Sequence, residues 1–234
     1  MEISCMLLLS FKGLSQKWWA FKQMGLAHQY LSNIEGLNWY KLMGTGGGDG
    51  FKPWPDWGTY ALLMNWSSHS FALKALESNP KLKAFFTLAS NSKTWWLEAY
   101  HAHGYWHGKQ PFHLVPKTET YKMAVLTRAR IKTNLLLKFW NEVGGVSKSM
   151  REMPGLLFAK GVGTLPLIEQ ATFSVWSTEN QVVQAAYRER AHKEVIQLTR
   201  AYNWYSEELF ARFQVVAEED GPWSSSFAFP NFKV

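Results

Sequence analysis

Tyr60-Ala61-Leu62-Leu63-Met64-Asn65-Trp66-Ser67-Ser68, followed by Phe71-Ala72-Leu73-Lys74-Ala75-Leu76, is the stretch from which the fold can be read. It reads as a strand closed by a tryptophan, then hydroxyl residues that cap a helix. The same pattern returns as Thr172-Phe173-Ser174-Val175-Trp176, then Ser177-Thr178 and Val182-Val183-Gln184-Ala185-Ala186. In this second copy Thr178 and Gln181 have capping-box spacing.

The parallel extends outward. A strand over Ile3–Phe11 and a helix over Ser15–Met24 match a strand over Lys122–Ile131 and a helix over Thr133–Glu142. Leu37–Met43 matches Leu156–Lys160, each running into glycine, and Thr94–His101 matches Leu209–Val216. The order strand-helix-strand-strand-helix-strand, used twice, is the ferredoxin-like unit. An α+β fold is therefore predicted, with two ferredoxin-like repeats over residues 1–115 and 120–218 and a C-terminal tail over 219–234. Their antiparallel sheets are expected to face each other, each burying one face. The break falls at Leu114–Thr120, where Pro116 and polar residues interrupt the pattern.

Composition narrows the function. With 234 residues the chain can bury a sizeable core, and 25 Lys+Arg against 18 Asp+Glu leave it at +7. That balance suits an acidic partner protein, an anionic membrane surface or an anionic cofactor. The charge is scattered and forms no dense run, which argues against nucleic acid. The single cysteine, Cys5, excludes an internal disulfide and fits a reducing cytoplasm. Met6-Leu7-Leu8-Leu9 is too short for a signal peptide and reads as a buried first strand. No stretch approaches the roughly 20 apolar residues of a membrane-spanning helix. Thirteen Trp and fifteen Phe serve core packing, a membrane-facing patch or the walls of an apolar pocket.

One segment breaks the strand grammar: Lys41-Leu42-Met43-Gly44-Thr45-Gly46-Gly47-Gly48-Asp49-Gly50-Phe51-Lys52-Pro53-Trp54-Pro55-Asp56-Trp57. Its glycines let the backbone approach a ligand closely, and the tryptophans beside them offer flat apolar surfaces. No Gly-Lys-Ser/Thr triplet follows and no dinucleotide fingerprint is present, so a large planar or apolar ligand fits better than a nucleotide. The plainer alternative is an ordinary flexible connection.

Several polar groups are candidates for chemistry. A helix over Ala191–Tyr202 carries an apolar stripe of Ala191, Val195, Leu198 and Tyr202, with His192 at the edge of that stripe. Arg128, Arg130 and Lys132 share a strand face, which points into water or meets anions. Arg212 alternates with Phe210 inside an apolar strand, so it needs an anionic partner, for which Glu207, Glu208 or a ligand would serve. His101, His103, His107 and His113 form a rival metal site or a turn rich in surface histidines. Nothing resembles a Gly-x-Ser-x-Gly nucleophile elbow.

Phe11-Lys12-Gly13, Lys17-Trp18-Trp19-Ala20-Phe21-Lys22-Gln23-Met24-Gly25 and the glycine-rich segment together resemble the spheroidene monooxygenase family, the carotenoid 2-ketolases of bacterial pigment pathways. The likeness continues through Gly104-Tyr105-Trp106-His107-Gly108, Pro111-Phe112 and Ala124-Val125-Leu126-Thr127-Arg128-Ala129. It ends in Thr172–Trp176 and Trp204–Phe213. The resemblance implies a dimeric α/β barrel architecture and haem b, with His192 as axial ligand to the iron. It implies Arg128, Arg200 and Arg212 as partners of the haem propionates. A polyene substrate is expected between the two sheets, beside Gly46, Gly47, Trp54 and Trp57. A small acidic redox protein such as a ferredoxin would supply electrons, and the protein would sit in the cytoplasm, with contact at the membrane's cytoplasmic face left open. Two other readings stay open: another haem enzyme on the same scaffold, such as a dehydratase or peroxidase, and a non-catalytic haem- or carotenoid-binding protein.

Overall fold

In the computed structural model the described residues are 1–48, 54–118, 122–143, 153–188 and 202–221. Strand β1 (Ile3–Ser10) leads into α1 (Leu14–Leu26) and the short α2 (His28–Leu31). Strands β2 (Leu37–Gly46) and β3 (Pro55–Trp66) follow, then α3 (His69–Ser78), α4 (Pro80–Leu88) and β4 (Asn91–Gly104). The second half runs β5 (Met123–Ile131), a 3₁₀ turn, α5 (Leu136–Val143), β6 (Leu156–Gly163), β7 (Glu169–Trp176), α6 (Glu179–Arg188) and β8 (Tyr205–Asp220).

The eight strands close into one antiparallel barrel in the order β1-β3-β2-β6-β7-β5-β8-β4. The strands of the two halves are joined at both edges. The β4–β8 seam is long, running from Lys93↔Asp220 to Gly104↔Leu209. The β2–β6 seam is short, with only Gly44↔Gly163 and Thr45↔Val162 paired. Closure removes the exposed edges that would otherwise invite pairing with another chain.

The two tryptophans that end the repeated strands hold equivalent positions. Trp66 lies opposite Ile3 of β1 and Leu37 of β2, and Trp176 opposite Met123 of β5 and Leu156 of β6. Ser68 caps α3 by accepting from the Phe71 N–H at 3.4 Å. Helix α4 was not anticipated. Asn79 caps it by accepting from the N–H groups of Lys81 (2.9 Å) and Leu82 (3.2 Å), with Pro80 in its first turn, where no donor is needed.

Alternation along β1 explains its unbroken apolar run. Cys5, Leu7 and Leu9 point outward beneath the helices, while Met6 and Leu8 point into the barrel, so both faces are covered. Burial pushes the Cys5 thiol up to about 12, so it is chemically inert. The barrel interior is filled by Trp39, Met43, Leu63, Trp95, Phe173 and Phe213, with Trp95 and Phe173 ring centroids 5.2 Å apart. Bulky inward side chains from both halves meet here in one buried cluster. Outside, α1 to α4 cover the first half, and Val182 of α6 packs on Met123, Val125 and Trp176 of the second. Among the described residues no helix is long and apolar enough to cross a membrane.

Candidate functional site

The glycine-rich segment does border a cleft, but on the outer side of the β2–β6 seam. Gly44 and Gly46 of β2 face Gly161 and Gly163 of β6, leaving a seam with no side chains of its own. Trp54 and Pro55 bound it on one side, and Trp140, Leu165 and Leu167 on the other. The cleft is shallow and open to solvent along its length. Its walls are pinned: Trp140 Nε1 donates to the Leu167 carbonyl at 3.2 Å, and Lys160 Nζ spans the seam to donate to the Gly48 carbonyl at 2.7 Å. Trp54-Pro55-Asp56-Trp57 belongs to the β2–β3 hairpin, where the Gly47 N–H donates to the Trp54 carbonyl at 2.7 Å. Of the residues expected at a substrate site, Gly46 and Trp54 line the cleft. Gly47 sits in the hairpin beside it, and Trp57 packs instead on Phe21 of α1, with centroids 5.4 Å apart.

A second polar constellation lies at one mouth of the barrel. Arg128 of β5 is fully buried there and pairs with Glu169 of β7 (Nη2 to Oε1, 3.2 Å) and with Glu207 of β8. Its guanidinium also lies over the Trp106 ring at 5.4 Å. Glu169 accepts further from His107 Nε2 at 2.8 Å and from the Thr164 hydroxyl, while Lys41 Nζ sits 2.9 Å from His107 Nδ1. Burial raises the affinity of Glu169 for a proton. The Thr164, His107 and Arg128 partners outweigh that and hold its carboxyl below the usual range. Glu207 is likewise held low: burial pushes it up, and the Gly108 and His107 N–H groups with Arg128 more than compensate. Burial lowers the Lys41 ammonium, which Glu169 partly restores.

The Gly104–Gly108 hairpin builds this mouth. Trp106 and Lys109 bracket a two-residue turn with His107 (φ 51°) and Gly108 (φ 71°) both left-handed, as a type I′ turn requires. The Glu207 carboxylate accepts from both of their N–H groups, at 2.9 and 2.8 Å, and holds His107 in that conformation. Gly104 is fixed by space as well as by its φ of 84°, since a Cβ there would lie 2.2 Å from the Glu208 carbonyl oxygen. Gly104→Ala should therefore cost about 2–3 kcal/mol, whereas Gly108→Ala, with open space around it, should cost about 1. Urea denaturation of the two variants side by side checks this; equal losses would contradict it.

The expected propionate partners separate. Arg128 faces the barrel interior and is paired there with two carboxylates. Its strand carries Ala124 and Leu126 on the same inward face. Arg212 stands on the outer face of β8, opposite Val125, with Nη1 3.5 Å from Glu179 Oε1. Its partner is thus Glu179 and not Glu207 or Glu208. Its Nε is buried and without a hydrogen-bond partner among the described residues. His192 and Arg200 lie outside the described residues. Of the histidines, His101 and His103 share a face of β4, their rings 5.7 Å apart and both against Phe210, while His107 is engaged with Glu169 and His113 is exposed. Among the described residues no three His, Cys, Asp or Glu side chains converge on a metal position. Lys41, Thr164 and Glu169 were not anticipated from the sequence.

A closed antiparallel barrel with helices outside is also the fold of aldoxime dehydratase, whose butyraldoxime complex matches at a TM-score of 0.59 and 10% identity, over 95% of this chain and 83% of that one. At that identity the likeness concerns the fold alone. Sequence carries the comparison further. The chain is 30% identical over 226 residues to the spheroidene monooxygenase of Rhodobacter capsulatus, spanning 95% of this chain and 93% of that protein. It is 30% identical over 218 residues to that of Cereibacter sphaeroides, spanning 92% and 67%. No protein-family model matches. The chain belongs to the spheroidene monooxygenase family.

Proposed function

We propose that this protein is an oxygenase that inserts oxygen into a carotenoid or a similar apolar polyene, with haem b as cofactor. The observation that carries the reading is the near full-length match to proteins named spheroidene monooxygenase. The cleft supports the substrate class. A glycine floor with Trp54 and Trp140 beside it suits a long flat hydrocarbon that offers little polarity to read. The polyene lies along Gly44, Gly46, Gly161 and Gly163, where the absent side chains let it reach the backbone.

The outer face of the second half fits the edge of an anionic macrocycle. Arg212 Nε is buried and without a hydrogen-bond partner among the described residues, beside Tyr100, Val125 and Phe210 and next to the Glu179 carboxylate that pairs with its Nη1. Its guanidinium would hold a propionate, with Arg200 as a second candidate and His192 as the proposed iron ligand. Haem, when bound there, supplies the iron that activates oxygen. The chain's own residues exclude water and position the polyene, and a small acidic redox protein such as a ferredoxin supplies electrons to this positively charged chain. We also read the barrel as two ferredoxin-like repeats over 1–115 and 120–218, supported by the equivalent registers of Trp66 and Trp176.

His192→Ala should abolish the Soret band of the haem-reconstituted protein while its far-ultraviolet dichroism stays unchanged. Haem retained at the wild-type ratio would remove the ligand assignment. The activity itself is read by co-expression with a carotenoid pathway and mass analysis of the pigments. Haem-loaded protein that leaves every acyclic and cyclic carotenoid unoxidised would end the substrate reading.

A further inference from the structure

The first helix turns an aromatic face to solvent. On α1, Leu14, Trp18 and Phe21 recur at helical spacing on the side away from the barrel, with Leu14 87% and Trp18 60% exposed. The core stripe of this helix, Ala20, Gln23 and the following Ala27, lies on the opposite side. Trp18 stacks on Phe21 at 5.6 Å, and Phe21 meets Trp57 of β3, itself 57% exposed. These rings hold one another in place while remaining open to water, so they form one continuous apolar patch. A monomeric surface seldom keeps such a patch without a partner.

Charge identifies the partner. Lys12, Lys17 and Lys22 flank Leu14, Trp18 and Phe21 along the chain, and no carboxylate occurs between Glu2 and Glu35. The nearby Asp56 of β3 accepts from the Gly58 N–H at 2.8 Å and lies 3.9 Å from Lys160. Tryptophan and phenylalanine over a lysine rim are the chemistry of an anionic bilayer interface, where rings enter the headgroup layer and ammonium groups meet lipid phosphates. We propose that the α1–Trp57 face docks on an anionic lipid surface. Trp54, three residues before Trp57, is 74% exposed and walls the glycine cleft. A docked molecule thus holds its cleft beside the membrane, from which an apolar polyene enters without crossing water. That use of docking rests on the proposed activity; the docking itself does not.

Co-sedimentation of the full-length protein with vesicles tests it, using phosphatidylcholine alone and phosphatidylcholine with about a third phosphatidylglycerol. Wild type should pellet with the anionic vesicles. Trp18→Ser with Phe21→Ser, both at exposed positions, should weaken partitioning by about tenfold or more with an unchanged dichroism spectrum. Lys12, Lys17 and Lys22 replaced together by Gln should lower anionic-vesicle binding by about fivefold per lysine and abolish its salt dependence. Wild type remaining in the supernatant, or an aromatic variant that partitions like wild type, would overturn the proposal. So would loss of a wild-type dimer in the aromatic variant without any vesicle binding, which would make the patch a contact between copies. The assay contains neither carotenoid nor haem, so its failure would leave the oxygenase reading standing.

Discussion

Replacing Arg128 by Met should destabilise the protein by about 3–5 kcal/mol at neutral pH, the cost of stranding buried carboxylates without their cation. Arg128 is wholly enclosed and paired with Glu169, itself 1% exposed, and with Glu207. Neutralising all three, as Arg128→Met with Glu169→Gln and Glu207→Gln, should recover part of the loss, because no unpaired carboxylate then remains buried, although Lys41 and Arg130 lose Glu169 as a partner. Acid gives an independent check. Both carboxyls are held below their usual range in the folded state, so their stabilisation is present above the unfolded value near ~4.3 and disappears as pH falls through the lower folded values. Without Arg128 the depression shrinks, so the gap between wild type and Arg128→Met should narrow as the solution is acidified below about pH 4. Denaturant titrations across that range measure it. A gap that stays constant with pH, or one below about 1 kcal/mol, would show that the ion pairs do not hold this end of the barrel.

The sequence disclosed most of the elements and little of their closure. The Trp66 and Trp176 strand ends, the Ser68 cap and the apolar β1 were legible because each rests on local periodicity or a capping hydroxyl. Helix α4 carries its own local signal in Asn79-Pro80, a cap followed by a proline in the first turn. Of the two outcomes open to the Arg128 face, water or anions, the structure shows anions, because the same parity runs back through Leu126 and Ala124 into the barrel and brings Arg128 to Glu169 and Glu207. Its partners Glu169 and Glu207 sit on other strands, and only the β5–β7 and β5–β8 pairings bring them together. The cleft was half legible. Glycine content marked Gly44 and Gly46, but whether the sheets face or close depends on a seam of two residue pairs, which no local pattern announces.

That seam permits a separation of binding from stability. A Cβ at Gly44 would meet nothing within 4 Å, whereas one at Gly163, directly opposite, would lie 2.4 Å from the Glu169 carbonyl oxygen. Gly44→Leu should therefore change folding free energy by less than about 1 kcal/mol, since a strand accepts a side chain where there is room for it. The same leucine projects into the cleft floor between Trp54 and Trp140, where the polyene is proposed to lie. Turnover of carotenoid should fall by about tenfold or more, a loss of about 1.4 kcal/mol or more in transition-state binding. Gly163→Ala should do the opposite in kind: it forces backbone apart, lowering stability first and activity only as a consequence. Melting curves and pigment conversion, recorded on both variants, distinguish the two. Gly44→Leu with wild-type conversion would move the substrate away from the seam, and a Gly44→Leu protein that melts as early as Gly163→Ala would show the glycines serve the fold alone.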